Sequence, residues 1–170
     1  MLKITLPALL LVVFPAFAAP TVSVGFSPSH TALQNVLSVV NDASTSLDVE
    51  AYSFTSKPIA TAIIAAKKRG VNVRVVADKK ANGDRYSAVT YLTNNHVPVR
   101  LNSRYAIMHN KVMIADGSTV QTGSFNYTAS ADSRNAENSI VLRGVPQIAA
   151  QYEKEFNRLW AESEVLAPAY

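Results

Sequence analysis

The order and periodicity of the apolar residues predict an α/β fold in one domain. Between Val22 and Ala77, segments with strand and helix patterns alternate as strand, helix, strand, helix, strand, which is typical of layered α/β folds. A length of 170 residues fits one domain with a sizeable core. Hydrophobic residues make up 48% of the chain and charged residues 16%, so the composition is that of a globular protein and argues against disorder.

The first half of the chain is predicted to contain three strands, at residues 22–26, 47–54 and 71–77, and two helices, at residues 31–43 and 58–69. In the first helix, apolar side chains recur at positions i, i+3, i+4 and i+7. The second helix begins at Pro58, which suits a first helical turn, and Gly70 ends it. The third strand is rich in β-branched residues, which favours a central position in the sheet.

The second half is predicted to contain a short helix at 86–94, strands at 97–101, 112–115, 119–122 and 138–142, and a helix at 146–162. Pro98 lies near the start of its strand, which favours the edge of a sheet. The pair Asp116-Gly117 is typical of a hairpin turn, so the strands on either side of it are expected to be antiparallel. The last helix is expected to face the core with Ile148, Tyr152, Phe156 and Leu159.

Charge and cysteine content limit the chemistry of the chain. The net charge is +4 and the isoelectric point is about 9.4, which suits a polyanionic partner. The polar segment 78–85 carries Lys79, Lys80 and Arg85, and it is either a solvated loop or a basic rim that faces substrate. There is no cysteine, which excludes disulfides, thiolate catalysis and cysteine metal sites.

Residues 1–18 have the pattern of a cleaved signal peptide. Lys3 supplies the positive start, an apolar run follows, and Ala16-Phe17-Ala18 is a small-x-small cleavage site. A membrane anchor is the alternative, but the run is too short to span a bilayer and prolines interrupt it. We therefore expect a mature domain at 19–170, periplasmic or secreted, without stable insertion in a membrane.

The stretch 109–126 carries the chemistry of the chain. Its pattern is H-x-K-x(4)-D-x(6)-G-S-x-N, which falls on His109, Lys111, Asp116, Gly123, Ser124 and Asn126. In the predicted hairpin, the start of the first strand and the end of the second are adjacent, so the histidine and lysine should lie beside the Gly-Ser-x-Asn segment. Six specified residues at fixed offsets make this signal far more specific than a lone H-x-K.

These residue types suit attack on a phosphodiester. Imidazole is a competent nucleophile near neutral pH, and attack on phosphorus places negative charge on the non-bridging oxygens. Lys111 can neutralise that charge, and the Asn126 amide, the Ser124 hydroxyl and backbone N–H groups can donate hydrogen bonds to it. Asp116 differs from the others, because an Asp-Gly turn alone explains it and a structural role is expected.

The pattern resembles the HKD motif of the phospholipase D superfamily, and the single motif in a short chain is most similar to the small bacterial periplasmic endonucleases of that superfamily. The resemblance implies a mixed β-sheet flanked by helices on both faces, a phosphohistidine intermediate, and no metal ion or cofactor. It also implies catalytic roles for His109, Lys111, Asp116 and Glu137, with Lys111, Ser124 and Asn126 binding phosphate. Glu137 would accept a hydrogen bond from the His109 ring and fix its orientation.

A phosphohistidine route needs two acid–base groups, and this chain has one motif. The simplest solution is a homodimer in which two copies of His109 share one site. For substrate we expect DNA, with RNA as the second polymer, bound mainly through phosphates and cut without marked sequence specificity. Two alternatives stay open: a phospholipase D or cardiolipin-type lipid phosphodiesterase, which would need an apolar surface near the site, and an inactive nucleic-acid-binding module.

Overall fold

The structure is a computed structural model that describes residues 19–84 and 87–169, so the expected signal peptide and Arg85 lie outside the described residues. Its strands are β1 (Thr21–Ser27), β2 (Ser46–Ala51), β3 (Asn72–Asp78), β4 (Val99–Asn102), β5 (Lys111–Ala115), β6 (Thr119–Gly123), β7 (Glu137–Arg143) and β8 (Glu164–Val165). They form one sheet in the order β1-β7-β6-β5-β2-β3-β4-β8.

The sheet is mixed. β2, β3 and β4 are parallel neighbours, whereas β5, β6, β7 and β1 follow one another in antiparallel pairs, and β5 pairs antiparallel with β2. The change of direction between β2 and β5 therefore lies in the middle of the sheet. The carboxyl end of β2 meets the start of β5 there, since Ala51 is paired with Lys111.

Helices cover both faces of the sheet, as predicted. They are α1 (Thr31–Asp42), α2 (Lys57–Lys68), α3 (Ala88–Asn94), α4 (Ala129–Ser133) and α5 (Pro146–Ala161). The larger apolar cluster fills the space between the sheet and the layer of α1, α2 and α3. A smaller cluster lies under α5 on the opposite face, where Phe156 and Leu159 pack on Val112 and Ile114 of β5.

The predicted elements match the structure closely, with a few differences. No element was predicted between the motif and the strand at 138–142, but this segment contains α4, which begins where the Thr128 side chain accepts a hydrogen bond from Ala131 N. β8 was not predicted, and it places β4 one strand in from the sheet edge. In α5, Ile148 is 37% exposed rather than part of the core, and Ala149 is fully buried instead.

None of the helices in the described ranges has the length and apolar character needed to cross a membrane.

Candidate active site

The hairpin of β5 and β6 brings the two parts of the motif together. The strands are paired antiparallel, with Met113 opposite Gln121, so the start of β5 lies beside the end of β6. A cleft of about 530 Å³ opens at this end, and its lining includes His109, Lys111, Gly123, Ser124, Asn126 and Glu137. Five of these belong to the H-x-K and Gly-Ser-x-Asn segments, as the spacing predicted.

Gly123 permits a close approach of two backbones at the edge of the cleft. A Cβ atom at this position would lie 2.3 Å from the carbonyl oxygen of Asn138, and the φ angle of +149° is one that L side chains rarely adopt. The same carbonyl accepts hydrogen bonds from the backbone N–H groups of Ser124 and Phe125 at 3.1 and 3.2 Å. Only glycine fits here, and the turn that it allows leads the chain from β6 along the cleft.

Lys111 is a nearly buried cation. Its side chain is 6% exposed, and its Nζ donates a hydrogen bond of 2.7 Å to the backbone carbonyl of His109. Burial lowers the pKa of Lys111 from its usual value, while the charge of Glu137 acts in the opposite direction. The lysine is thereby held at one position, next to the residue whose ring is expected to react.

The His109 residue is exposed, and its ring packs against a neighbouring aromatic side chain. The centroids of the His109 and Tyr52 rings are 4.6 Å apart with an interplanar angle of 57°. The ring of Tyr52 also lies 5.3 Å from the Lys111 ammonium group, within the range of a cation–π contact. Tyr52, which the sequence did not single out, therefore contacts both members of the H-x-K pair.

Glu137 lies in the same cleft, but its hydrogen bonds differ from those that the resemblance implies. Ser124 Oγ donates to Glu137 Oε2 at 2.5 Å, and Asn135 Nδ2 donates to Glu137 Oε1 at 2.9 Å. Among the described residues these are the side-chain donors to the carboxylate, and the His109 ring is not one of them. Ser124 Oγ in turn accepts a hydrogen bond from Asn138 N at 3.0 Å, which fixes the serine as well.

The structure does not bring Asp116 to the cleft, although the resemblance implied a catalytic role for it, and its position agrees with the structural role that the Asp-Gly turn predicted. Asp116 lies at the opposite end of β5 from Lys111, five residues or roughly 16 Å away at strand rise. Its carboxylate accepts hydrogen bonds from the backbone N–H groups of Ser44, Thr45 and Ser46 and from two hydroxyl groups. Its place in the motif is thus that of an anchor between the hairpin turn and the start of β2.

The bonds of Asp116 also account for its charge state. Burial acts to raise the pKa of this carboxyl, but the hydrogen bonds from Ser46, Thr45 and Ser44 outweigh it and hold the pKa well below its usual value. The residue has a φ angle of +52°, which aspartate tolerates better than most residues. Both the charge and the conformation of Asp116 serve the turn.

Apart from Glu137, three residues from outside the stretch 109–126 line the cleft, and the sequence predicted none of them: Glu50, Tyr152 and Glu155. Glu50 lies on β2 between the apolar residues Val49 and Ala51, on the face of the sheet that α5 covers. Burial raises the pKa of Glu50 to about 7, and a hydrogen bond from Asn110 acts against that rise. A covering helix on a polar strand face could have been inferred only from the three-dimensional arrangement.

The arrangement suits nucleophilic attack on an anionic ester. It combines an exposed imidazole, a fixed ammonium group, a hydroxyl and an amide at one end of a hairpin, which are groups able to attack phosphorus and to stabilise the charge that follows. Within residues 19–84 and 87–169, no three side chains of the histidine, aspartate and glutamate types are grouped so that they could hold a metal ion.

Comparisons with known proteins agree with this class of site. Residues 36–160 match the family described as "Cardiolipin synthase, PLD-like domain". The chain therefore belongs to the phospholipase D superfamily, as its motif predicted, and it is a phosphodiesterase of that superfamily.

Solved structures and curated relatives support the same placement. A phospholipase D family member from Salmonella typhimurium, Nuc, superposes with a TM-score of 0.86 at 40% identity, covering 88% of this chain and 99% of that one. NucT from Helicobacter pylori superposes with a TM-score of 0.77 at 25% identity, over 87% of this chain and all of its own.

Among curated proteins, a Rickettsia conorii phospholipase D is 34% identical over 137 residues, covering 81% of this chain and 68% of that protein. A mitochondrial cardiolipin hydrolase from Xenopus tropicalis is 33% identical over 134 residues, covering 79% of this chain and 63% of that protein. The chain thus spans about two thirds of the length of these relatives. Their names indicate lipid substrates, whereas the full-length structural matches carry the Nuc names.

Proposed function

We propose that the chain is an exported endonuclease that hydrolyses DNA, and secondarily RNA, without a metal ion and without marked sequence specificity. The observation that carries this proposal is the cleft itself, where the exposed His109 ring lies beside the buried Lys111 cation and the hydroxyl and amide of the Gly-Ser-x-Asn segment. The positive net charge of +4 favours a polyanionic substrate. The export part of the proposal rests on the leader pattern of residues 1–18.

The proposed reaction has two displacement steps. In the first, a ring nitrogen of His109 attacks phosphorus, a P–N bond forms, and the P–O bond to the leaving oxygen breaks. The leaving oxygen takes a proton from a second acid. In the second step that same group removes a proton from water, the water oxygen attacks phosphorus, and the P–N bond breaks. Lys111 and Asn126 would hold the charge on the non-bridging oxygens through both steps.

A second copy of the chain would supply the acid. The described residues offer one exposed histidine in the cleft, and we propose that the partner subunit's His109 is the proton donor and the base of the second step. An apolar strip on the sheet supports such a dimer: Val22, Val24 and Phe26 of β1 are 61%, 54% and 56% exposed. Large apolar side chains that lie exposed on an open sheet face mark an interaction surface.

This strip is continuous with the cleft. Residues that pair directly across strands share a face of the sheet, and Val24 is paired with Ile140, which is paired with Thr122 in the lining of the cleft. α5 packs on β2, β3, β5 and β6, and the side chains of Val22, Val24 and Phe26 on β1 lie exposed beyond it. A copy that covered the strip would therefore come to lie beside the cleft, as a shared site requires.

Nicking of supercoiled plasmid in excess EDTA tests the proposal. Wild-type protein is expected to nick, His109→Ala is expected to be inactive, and His96→Asn, which changes an exposed histidine away from the cleft, is expected to match the wild type. Activity that appears only after a divalent metal is added would contradict the metal-independent route. Retention of full specific activity by a diluted monomer would contradict the shared site.

A lipid phosphodiesterase is the second candidate, and two observations favour it. Relatives carry the names phospholipase D and cardiolipin hydrolase, and the exposed strip of β1 provides an apolar surface next to the cleft. Vesicles that contain cardiolipin separate the two candidates, because hydrolysis of the lipid with intact plasmid would favour the lipid activity. A wild type that binds DNA but cuts neither substrate would instead indicate a binding module.

A further inference from the structure

Glu50 is a buried carboxyl beneath the cleft that belongs to no motif. It lies on β2 with no exposed surface, paired with Val76 of β3 on one side and Val112 of β5 on the other. Both valines belong to the apolar cluster under α5. A carboxylate in such surroundings is costly unless it is paired or protonated.

Its neighbour on the same strand face shows the contrast. Asp48 accepts two hydrogen bonds from Arg74, at 2.8 and 2.7 Å, and that arginine also lies over the rings of Phe156 and Trp160. Glu50 has no ion pair with any of the described residues. One of its oxygens, Oε1, is buried and accepts no hydrogen bond from any residue within 19–84 and 87–169. The fold has therefore provided a cation for one carboxylate and not for the other.

The one hydrogen bond that Glu50 makes within the described part of the chain leads to the reactive segment. Asn110, which lies between His109 and Lys111, donates from Nδ2 to Glu50 Oε2 at 2.8 Å. The backbone carbonyl of Asn110 accepts a hydrogen bond from Tyr52 N at 2.9 Å. Since the Tyr52 ring also contacts His109, the imidazole and the residue that follows it are both held to the end of β2.

The charges around the cleft indicate that the ionisation of Glu50 also affects the binding of an anionic substrate. Glu155 is paired with Arg158 at 2.5 Å, and the charge of Glu137 acts on Lys111. Glu50, by contrast, has two carboxylates, Glu155 and Asp48, acting against its ionisation and one cation, Arg158, acting for it. When it is ionised, the cleft gains a negative charge that opposes an anionic phosphodiester.

The groups that face Glu50 from the neighbouring elements set its protonation. Burial raises its pKa to about 7, the hydrogen bond from Asn110 lowers it, Glu155 of α5 and Asp48 of β2 raise it, and Arg158 of α5 lowers it. Across the sheet, burial raises the pKa of Tyr127, and the charge of Glu50 adds to that rise. Glu50 therefore changes its charge within the neutral range.

We propose that Glu50 is a positioning residue that fixes the His109–Lys111 segment through Asn110 and that only its uncharged form leaves the cleft receptive to an anionic phosphodiester. This inference rests on the proposed phosphodiesterase function and deepens it. It holds for DNA and for a small phosphodiester alike, because the repelled group is the phosphate.

The test is the pH dependence of kcat/KM for Glu50→Gln and Glu50→Ala, measured on plasmid DNA and on bis(4-nitrophenyl) phosphate. Glutamine keeps an oxygen that accepts from Asn110 and carries no charge. The ratio of Glu50→Gln to wild type should be near one at pH 5.5 and rise to about tenfold at pH 8, where a carboxyl with a pKa of about 7 is about nine-tenths ionised. Glu50→Ala should lose kcat at every pH, because Asn110 has lost its acceptor.

The matched control is Glu153→Gln, the same change on α5 at a residue outside the cleft lining. Its profile should follow the wild type. Superimposable profiles for wild type and Glu50→Gln would overturn the charge part of the inference, and equal kcat for Glu50→Gln and Glu50→Ala would overturn the positioning part. A wild type that cuts neither substrate would overturn the proposed function, and the inference with it.

A measurement on the unaltered protein guards against a variant that does not fold. The carbon-13 resonance of the Glu50 carboxyl is followed against pH with and without saturating inorganic phosphate. If phosphate binds better to the uncharged form, the titration midpoint must rise when phosphate is present. A midpoint that phosphate leaves unchanged would overturn the inference.

Discussion

At one end of β5, the carboxylate of Asp116 accepts hydrogen bonds from three consecutive backbone N–H groups, of Ser44, Thr45 and Ser46, and from two hydroxyls. At the other end, polar atoms lie buried without a partner, among them Oε1 of Glu50 and Oδ1 of Asn126. Both ends place an acidic side chain beside β5, Asp116 at one end and Glu50 of β2 at the other. They differ in whether the protein itself supplies every hydrogen bond.

The two ends of β5 therefore have different roles: the Asp116 end stabilises the fold, and the His109 end is available for chemistry. Buried polar groups are nearly always paired in folded proteins. The unpaired atoms at the His109 end are therefore a cost that the rest of the fold compensates, and they are available to a ligand. At the Asp116 end the polar bonds connect the turn to β2 and hold the sheet. We therefore expect changes at that end to affect folding, and changes at the His109 end to affect turnover.

Lys111→Met should give a large loss of turnover. Loss of a fixed charged donor to a developing anion costs on the order of 10³-fold in kcat. Because burial already lowers the pKa of Lys111, an apolar side chain of similar length should leave thermal stability unchanged or raise it. Plasmid nicking and thermal unfolding on the same preparation check both halves, and a large fall in melting temperature would contradict the separation.

Asp116→Asn should show the reverse behaviour. The amide keeps the positive φ angle tolerable but loses a charged acceptor, which should lower the free energy of unfolding at pH 7 by about 3 kcal/mol. Since the pKa of Asp116 is lowered, its contribution is complete above about pH 4 and is lost as the pH falls below that value. Denaturant unfolding at pH 7 and pH 3 measures the change, and kcat of the folded variant should equal that of the wild type.

The sequence was sufficient for most of the fold and for the motif part of the site. Periodicity located the strands and helices, and the Asp-Gly turn indicated which strand ends meet. The sequence alone therefore placed His109 and Ser124 close together. These inferences succeed because they depend on local geometry and on one short-range pairing.

The remaining parts of the site depend on contacts between distant segments. Glu50 lies between two apolar residues in an alternating strand pattern, which is also the pattern of a solvent-facing residue. It is buried because α5 covers this face of the sheet. Glu137 accepts hydrogen bonds from Ser124 and from Asn135, which follows the short helix α4. The resemblance alone had implied the His109 ring as the donor. Ile148 was expected in the core because its spacing places it on the apolar stripe of α5. In the structure the next residue, Ala149, faces the core instead, and Ile148 is exposed.

Glu50→Gln should stabilise the protein at alkaline pH. The pKa of Glu50 is raised from 4.5 to about 7, so the folded state holds its proton more tightly than the unfolded state does. Stability is therefore lost as the pH rises from about 4.5 through 7, by up to about 3 kcal/mol. Denaturant unfolding should show Glu50→Gln equal to wild type at pH 4.5 and more stable at pH 8, whereas a constant difference would point to packing instead of charge. This dependence is opposite in sign to that of Asp116.

Val24→Ser should give the smallest effect, on association of two copies. Removal of one exposed apolar side chain from the strip of β1 should weaken a dimer by about 1 kcal/mol per subunit, which for two copies is about a thirtyfold change in the dissociation constant, without altering the folded monomer. The matched control is Val165→Ser on β8, which is 74% exposed at the opposite edge of the sheet. Sedimentation over a range of concentrations should separate the two variants. If both dissociate like the wild type, the strip does not hold the second copy, and its exposure next to the cleft would then favour a lipid surface as the partner.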